Sequence, residues 1–181
     1  MYYSVIKPND IADGNGVRVS LFVSGCKNHC EGCFNKDTWD FKYGKQFTDD
    51  TIAEIINLME KPYIKGLSIL GGEPLEIENQ YPVMKLILEV RNRFGLSKDI
   101  WLYTGYVFDI DKSEYGKPIP HTQYFKSIID NIDYVVDGPF VLHLKNLSLN
   151  FRGSSNQKIY HFYKQGLFTD ITDKIDKGEE L

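Results

Sequence analysis

The sequence predicts an α/β protein with a mostly parallel sheet, a partial (β/α) barrel open on one side. Three observations carry this reading. Short apolar runs alternate with segments of helical periodicity, and repeated β-then-α units imply parallel strands joined by crossover helices. The 181 residues suffice for one domain, whereas a full eight-fold barrel takes about 250. Finally, loops carrying unusual residues follow three of the predicted strands, and in parallel α/β sheets functional groups gather at the strands' carboxyl ends.

The elements follow in order. Val19 to Val23 reads as a buried strand that ends at Ser24-Gly25. Thr48, followed by Asp49 and Asp50, opens a helix with a capping side chain and acids in its first turn. Ile52, Ile55, Ile56 and Met59 repeat at helical spacing, and Pro62 lies just past the stop. Gly66 to Leu70 is a second strand, running into Gly71-Gly72. Pro82 to Phe94 is an amphipathic helix closed by Gly95, and Ile100 to Tyr103 a third strand. Residues 109 to 120 are polar and read as a surface insertion. A short helix over about 122–131 leads to a fourth strand at Tyr134 to Val136. Two or three further β-like runs follow, over Phe140 to Leu144, Leu147 to Phe151 and Lys158 to Tyr163. Residues 1–165 form a single domain on this reading, and 166–181 a peripheral acidic tail.

Composition narrows the function classes. Twenty-one basic against 25 acidic residues give a net charge of −4, which does not support nucleic-acid binding. No run of about 18 apolar residues suggests a membrane span. Met1-Tyr2-Tyr3-Ser4 lacks the features of a secretory signal. The three cysteines sit together in Cys26-Lys27-Asn28-His29-Cys30-Glu31-Gly32-Cys33. An odd, clustered set without a signal points to metal or redox chemistry in the cytoplasm, not to disulfides.

Iron–sulfur clusters usually take four cysteines. Three thiolates spaced x3 and x2 can grip three corners of a cuboidal cluster and leave one iron open to a small molecule. A Cys3His zinc site is the alternative, with His29, His121, His143 or His161 as fourth ligand. Adjacent residues such as His29 and Cys30 rarely reach one tetrahedral ion together. Gly71-Gly72-Glu73-Pro74 follows a strand, and its glycines let a ligand approach the main chain closely. An ordinary strand-to-helix turn would look the same.

Together, the cysteine trio and Gly71-Gly72-Glu73-Pro74 resemble the radical S-adenosylmethionine superfamily. Further segments are similar to the activating proteins of anaerobic ribonucleoside-triphosphate reductase: Asp13-Gly14-Asn15-Gly16-Val17-Arg18, Gly32-Cys33-Phe34-Asn35 with Thr38-Trp39, Trp101-Leu102-Tyr103-Thr104-Gly105-Tyr106, Val136-Asp137-Gly138-Pro139-Phe140, and Arg152-Gly153-Ser154-Ser155-Asn156-Gln157. They run in order from about residue 10 to 160.

This resemblance implies a partial barrel of the radical S-adenosylmethionine type. A 4Fe-4S cluster would be held by Cys26, Cys30 and Cys33, with the amino and carboxylate groups of S-adenosylmethionine on the fourth iron. Reductive cleavage would yield a 5′-deoxyadenosyl radical that takes a hydrogen from a glycine of the reductase's large subunit. A flavodoxin- or ferredoxin-type protein would donate the electron. Gly71, Gly72 and Glu73 match the segment that contacts the cofactor's amino group. Gly32 and Phe34 flank the last cysteine. Gly32 fills the slot where most of the superfamily has an aromatic, which makes Phe34 the candidate adenine-facing ring, against plain core packing. Thr104 is placed to reach ribose or carboxylate, or to cap its strand. Asp137-Gly138 would lie near the partner's glycine loop or form a tight turn. Arg18 and Arg152 suit a carboxylate or the partner chain. A small-molecule radical enzyme such as a deazapurine synthase is a rival reading, as is a zinc-stapled binding module.

Overall fold

The computed structural model describes residues 1–109, 113–163 and 167–179. Strand β1 (Tyr2–Asp10) precedes the first predicted strand, β2 (Val17–Val23). The two-residue β3 (Lys45–Gln46) leads into α1 (Asp49–Met59). Thr48 caps this helix in a capping box, donating its N–H to Thr51 Oγ1 at 3.1 Å. There follow β4 (Ile64–Gly71), α2 (Ile77–Phe94), β5 (Asp99–Tyr103), α3 (Phe125–Ile129) and β6 (Tyr134–Asp137). Strands β7 (Lys158–Phe162) and β8 (Phe168–Asp170) and the one-turn helix α4 (Thr172–Asp176) complete the described chain.

The strands form one open sheet in the order β3-β1-β2-β4-β5-β6-β7-β8. It is mixed, which corrects the expectation of a mostly parallel sheet. Among the described residues, the strand pairs that run in parallel are β2–β4, β4–β5 and β5–β6. The flanks, β3–β1, β1–β2, β6–β7 and β7–β8, are antiparallel. A parallel neighbour needs a crossover, and helices supply one only between β2 and β6. β1 returns to β2 through residues 11–16, and β6 to β7 through the longer segment 138–157, without an α-helical crossover.

Side chains alternate across the sheet, as a two-residue period requires. Val19, Leu21, Val23, Leu67, Ile69, Ile100, Leu102 and Val135 face α1, α2 and α3 and form the main core with Ile55, Met59, Leu86, Ile87 and Ile128. Trp101, Val136 and Ile159 face the other way and pack with Ile171 and Ile175 around α4. Arg18 belongs to this second face.

Three local expectations change. Helix α2 begins at Ile77 and runs through Pro82. Phe140 to Leu144 and Leu147 to Phe151 are not strands: the first ends in a 3₁₀ turn at Leu142–Leu144 and the second is irregular. Of the 109–120 insertion, residues 110–112 lie outside the described residues. So does the boundary expected at 165–166. The insertion's far arm returns beside the loop after β5, where Val107 and Pro118 form an isolated bridge.

Candidate functional site

The loops after β2, β4 and β5 meet at one rim of the sheet. Between them opens a cleft lined by Cys26, Cys30 and Cys33, by Gly71, Gly72 and Glu73, and by Tyr103, Thr104 and Gly105. Phe34, Trp39, Leu70, Gly138, Phe140 and Gln157 also line it, with Asn28 and Asn35. The structure therefore brings the cysteine run and the Gly-Gly-Glu-Pro turn into a single site.

Parallel pairing explains the convergence. Val23 lies beside Gly71 in the β2–β4 register, so both strands end at the same level. Gly71 turns away at φ +107°, a conformation that favours glycine. A Cβ on Gly72 would sit 2.8–3.0 Å from the carbonyl oxygens of Gly25, Thr38 and Val23. The absence of side chains here lets the β2 and β4 loops pass at backbone distance.

Glu73 is the hub. It is 1% exposed, yet each carboxylate oxygen has two donors. Leu75 N–H and Thr104 Oγ1 donate to Oε1 at 2.9 and 2.8 Å. Gly105 N–H and Asn28 Nδ2 donate to Oε2 at 2.7 and 3.3 Å. Burial pushes its pKa up to about 7 against the pull of these bonds. Thr104 is thus turned toward Glu73, and its hydroxyl also accepts Tyr106 N–H at 3.1 Å, as a strand cap would.

Burial likewise pushes the Cys26 thiol up to about 12, opposed by the N–H groups of Asn28 and His29. Cys30 is raised for the same reason, opposed by Phe140 N–H. Ligation requires thiolates, so metal uptake releases their protons. Among the described residues, no three His, Cys, Asp or Glu side chains are arranged to hold a single metal ion. The His29 ring stacks on Trp39 at 4.4 Å. Three thiols spread along one cleft beside a glycine-lined turn fit a larger, multi-iron group, and together with the family match below they support an iron–sulfur cluster.

The remaining candidates divide. Gly32 is exposed, its backbone at φ +72° against Leu142. Phe34 is 88% exposed at the cleft mouth, which excludes core packing. Arg18 is buried completely. It pairs with Asp99 Oδ1 at 2.5 Å and donates to Ser68 Oγ, Asn15 O and Leu67 O at 2.7–2.9 Å. Arg152 pairs with Asp176 and donates to Gln157 O at 3.0 Å. Asp137 accepts Phe108 N–H at 2.9 Å.

Sequence reasoning missed Asn28, Glu76, Asn79 and Gln157. Gln157 ties two loops together, accepting Gly153 N–H at 2.8 Å and donating to Gly138 O at 2.9 Å. Asn79 Nδ2 donates to Ser24 O and Glu73 O at 3.0 and 2.9 Å. Glu76 and Asn79 are buried polar side chains at the start of α2, hidden because Pro82 reads as the helix start.

Residues 12–160 match a family described as a 4Fe-4S single cluster domain. The chain is 40% identical over 164 residues to a protein of Escherichia coli (strain K12) named anaerobic ribonucleoside-triphosphate reductase-activating protein, covering 89% of this chain and 99% of that one. Proteins of the same name from Enterobacteria phage T4 and Vibrio cholerae are 38% and 36% identical. Those matches cover 88% and 90% of this chain, and 94% and 99% of the relatives.

Proposed function

Because this chain belongs to the family of anaerobic ribonucleoside-triphosphate reductase-activating proteins, we propose that it activates such a reductase. The chemistry that a bound 4Fe-4S cluster and S-adenosylmethionine supply is reductive cleavage to a 5′-deoxyadenosyl radical and methionine, followed by removal of one glycine hydrogen from the reductase's large subunit, leaving a glycyl radical. Cluster and cofactor carry that reactivity, and the protein contributes binding, orientation and shielding.

The single observation behind this reading is that three thiols and the Gly71-Gly72-Glu73 turn share one cleft. Cys26, Cys30 and Cys33 would hold the cluster, and three protein ligands would leave it a site open to S-adenosylmethionine. With both oxygens of Glu73 engaged by four donors, its part is to orient the Gly71–Gly72 backbone, and that backbone meets the amino group. Thr104 acts through Glu73. Leu70, Trp39 and Phe140 line the cleft with apolar surface that limits water. Phe34, exposed at the mouth, is the ring available to adenine. A flavodoxin- or ferredoxin-type protein supplies the electron.

The test is to mix the reconstituted, reduced protein with S-adenosylmethionine and an anaerobic reductase and to record electron paramagnetic resonance. A glycine-centred radical that needs all three components supports the proposal. Full reduction of the cluster without such a radical contradicts it.

A further inference from the structure

The cysteine loop is stitched to the segment after β4. Gly72 N–H donates to Val23 O at 2.7 Å, Glu73 N–H to Gly25 O at 2.8 Å, and Asn79 Nδ2 to Ser24 O at 3.0 Å. Two buried carboxylates extend the seam past Cys26. Glu73 accepts Asn28 Nδ2 at 3.3 Å. Glu76 accepts the backbone N–H of Lys27 at 2.8 Å, and its other oxygen lies 3.4 Å from Lys27 Nζ.

Glu76 is out of place by the rules of its own helix. It occupies the N-cap position of α2 and makes no side-chain cap bond, where Ser, Thr, Asp or Asn would cap. It is also 1% exposed, and burying a carboxylate is unfavourable unless it is paired. Its side chain reaches instead to the residue next to Cys26, and Tyr106 hydrogen-bonds it as well. Lys27, half-exposed, spans Glu76 and Glu78 and lies over the Phe41 ring at 5.1 Å. The loop, not the helix, accounts for the residue.

We propose that Glu76 is a positioning residue for the iron–sulfur cluster. It holds the Cys26–Cys30 arc in its ligating shape through the N–H of Lys27, and it sets a negative charge beside that arc which Lys27 offsets. Partners one layer behind metal ligands commonly matter about 10–100-fold to metal affinity, and net charge and hydrogen bonding around an iron–sulfur cluster set its potential. The inference rests on the proposed function, since it requires a cluster on these cysteines.

The experiment measures two quantities on reconstituted full-length protein: the rate of iron loss to a chelator, and the midpoint potential by spectroscopically monitored titration. Glu76→Ala removes the acceptor and should lose iron about tenfold faster. Glu76→Gln keeps an oxygen for Lys27 N–H, so it should hold iron near the wild-type rate while reducing at a higher potential. Lys27→Met keeps the N–H and removes the ammonium, which should move the potential the opposite way. Wild-type iron retention in Glu76→Ala, or potentials of Glu76→Gln and Lys27→Met that do not move in opposite directions, overturns the proposal. Should Glu76→Ala fail to fold, those opposite shifts decide. A wild-type protein that takes up no cluster would instead overturn the functional reading itself.

Discussion

Thr104 donates its hydroxyl hydrogen to Glu73 at 2.8 Å, and this bond joins the loop after β5 to the loop after β4. Both residues are buried. Replacing the hydroxyl by a methyl takes one of two donors from Glu73 Oε1 and leaves Tyr106 N–H without its acceptor, and an unsatisfied buried group costs about 1–3 kcal/mol. Thr104→Val should therefore lower stability by about that amount and slow S-adenosylmethionine cleavage, whereas Thr104→Ser should retain both. Chemical denaturation together with a 5′-deoxyadenosine assay checks the pair of variants. Equal activity in Thr104→Val and wild type would remove the bond from the site's architecture.

Arg18 gives the opposite profile. Its guanidinium is wholly enclosed by Asp99, Ser68, Asn15 and Leu67 and lies over the Trp101 ring at 5.6 Å. Breaking a buried ion pair by deleting one member is destabilising by about 3–5 kcal/mol. Arg18→Ala should show a loss of that order in urea unfolding, and the protein that remains folded should cleave at the normal rate per cluster.

Phe34 separates ligand contact from packing. At 88% exposure, its truncation should change stability by less than about 0.5 kcal/mol. Stacking of a base on an aromatic ring is worth about 1–3 kcal/mol, so Phe34→Ala should weaken S-adenosylmethionine binding about 5- to 150-fold, as read by equilibrium titration. Unchanged binding would show that the ring does not face adenine.

Stability should depend on pH through Asp137. Burial raises its carboxyl from 3.8 to about 6, against hydrogen bonds from the backbone of Phe108 and Lys158. Between those two values the folded chain keeps a proton that the unfolded chain has lost. The folded state binds more protons there, so stability falls as pH rises through the window and levels off above it. One such group contributes at most about 1.4 kcal/mol per pH unit. Asp137→Asn should make the curve shallower between about 4 and 6, leaving the decline that the buried Glu73 and Asp13 contribute through that window and on toward about 7.

How much of this was readable in the chain depended on whether the signal was local. The central strands and α1 are periodic, and periodicity located them. Strand β1 buries only Tyr3 and Asp10 fully and carries Pro8, so its pattern does not announce a strand, and with it went the antiparallel edge. Helix α2 hid its start because the first turn is anchored by tertiary bonds: Asn79 to Ser24 and Glu73, and Gln80 Nε2 to Leu75 O at 2.8 Å. In the acidic C-terminal run, Ile171 and Ile175 are buried beneath Trp101's cluster, a contact no local pattern encodes. The cysteines and Gly71-Gly72-Glu73 stood out because their spacing and chemistry are local. That Arg18 locks the fold, and that Glu73 braces three loops, are facts of distance along the chain.

The central claim is that Cys26, Cys30 and Cys33 hold an iron–sulfur cluster with a site open to S-adenosylmethionine. The most direct measurement is anaerobic reconstitution with iron and sulfide, reduction, and electron paramagnetic resonance with and without S-adenosylmethionine, alongside single Cys→Ala variants. The account predicts a reduced-cluster signal that changes on adding the cofactor, formation of 5′-deoxyadenosine, and loss of both in every single variant with the fold retained. A signal indifferent to S-adenosylmethionine, uptake of zinc in place of the cluster, or cleavage that survives the loss of any one cysteine would contradict it.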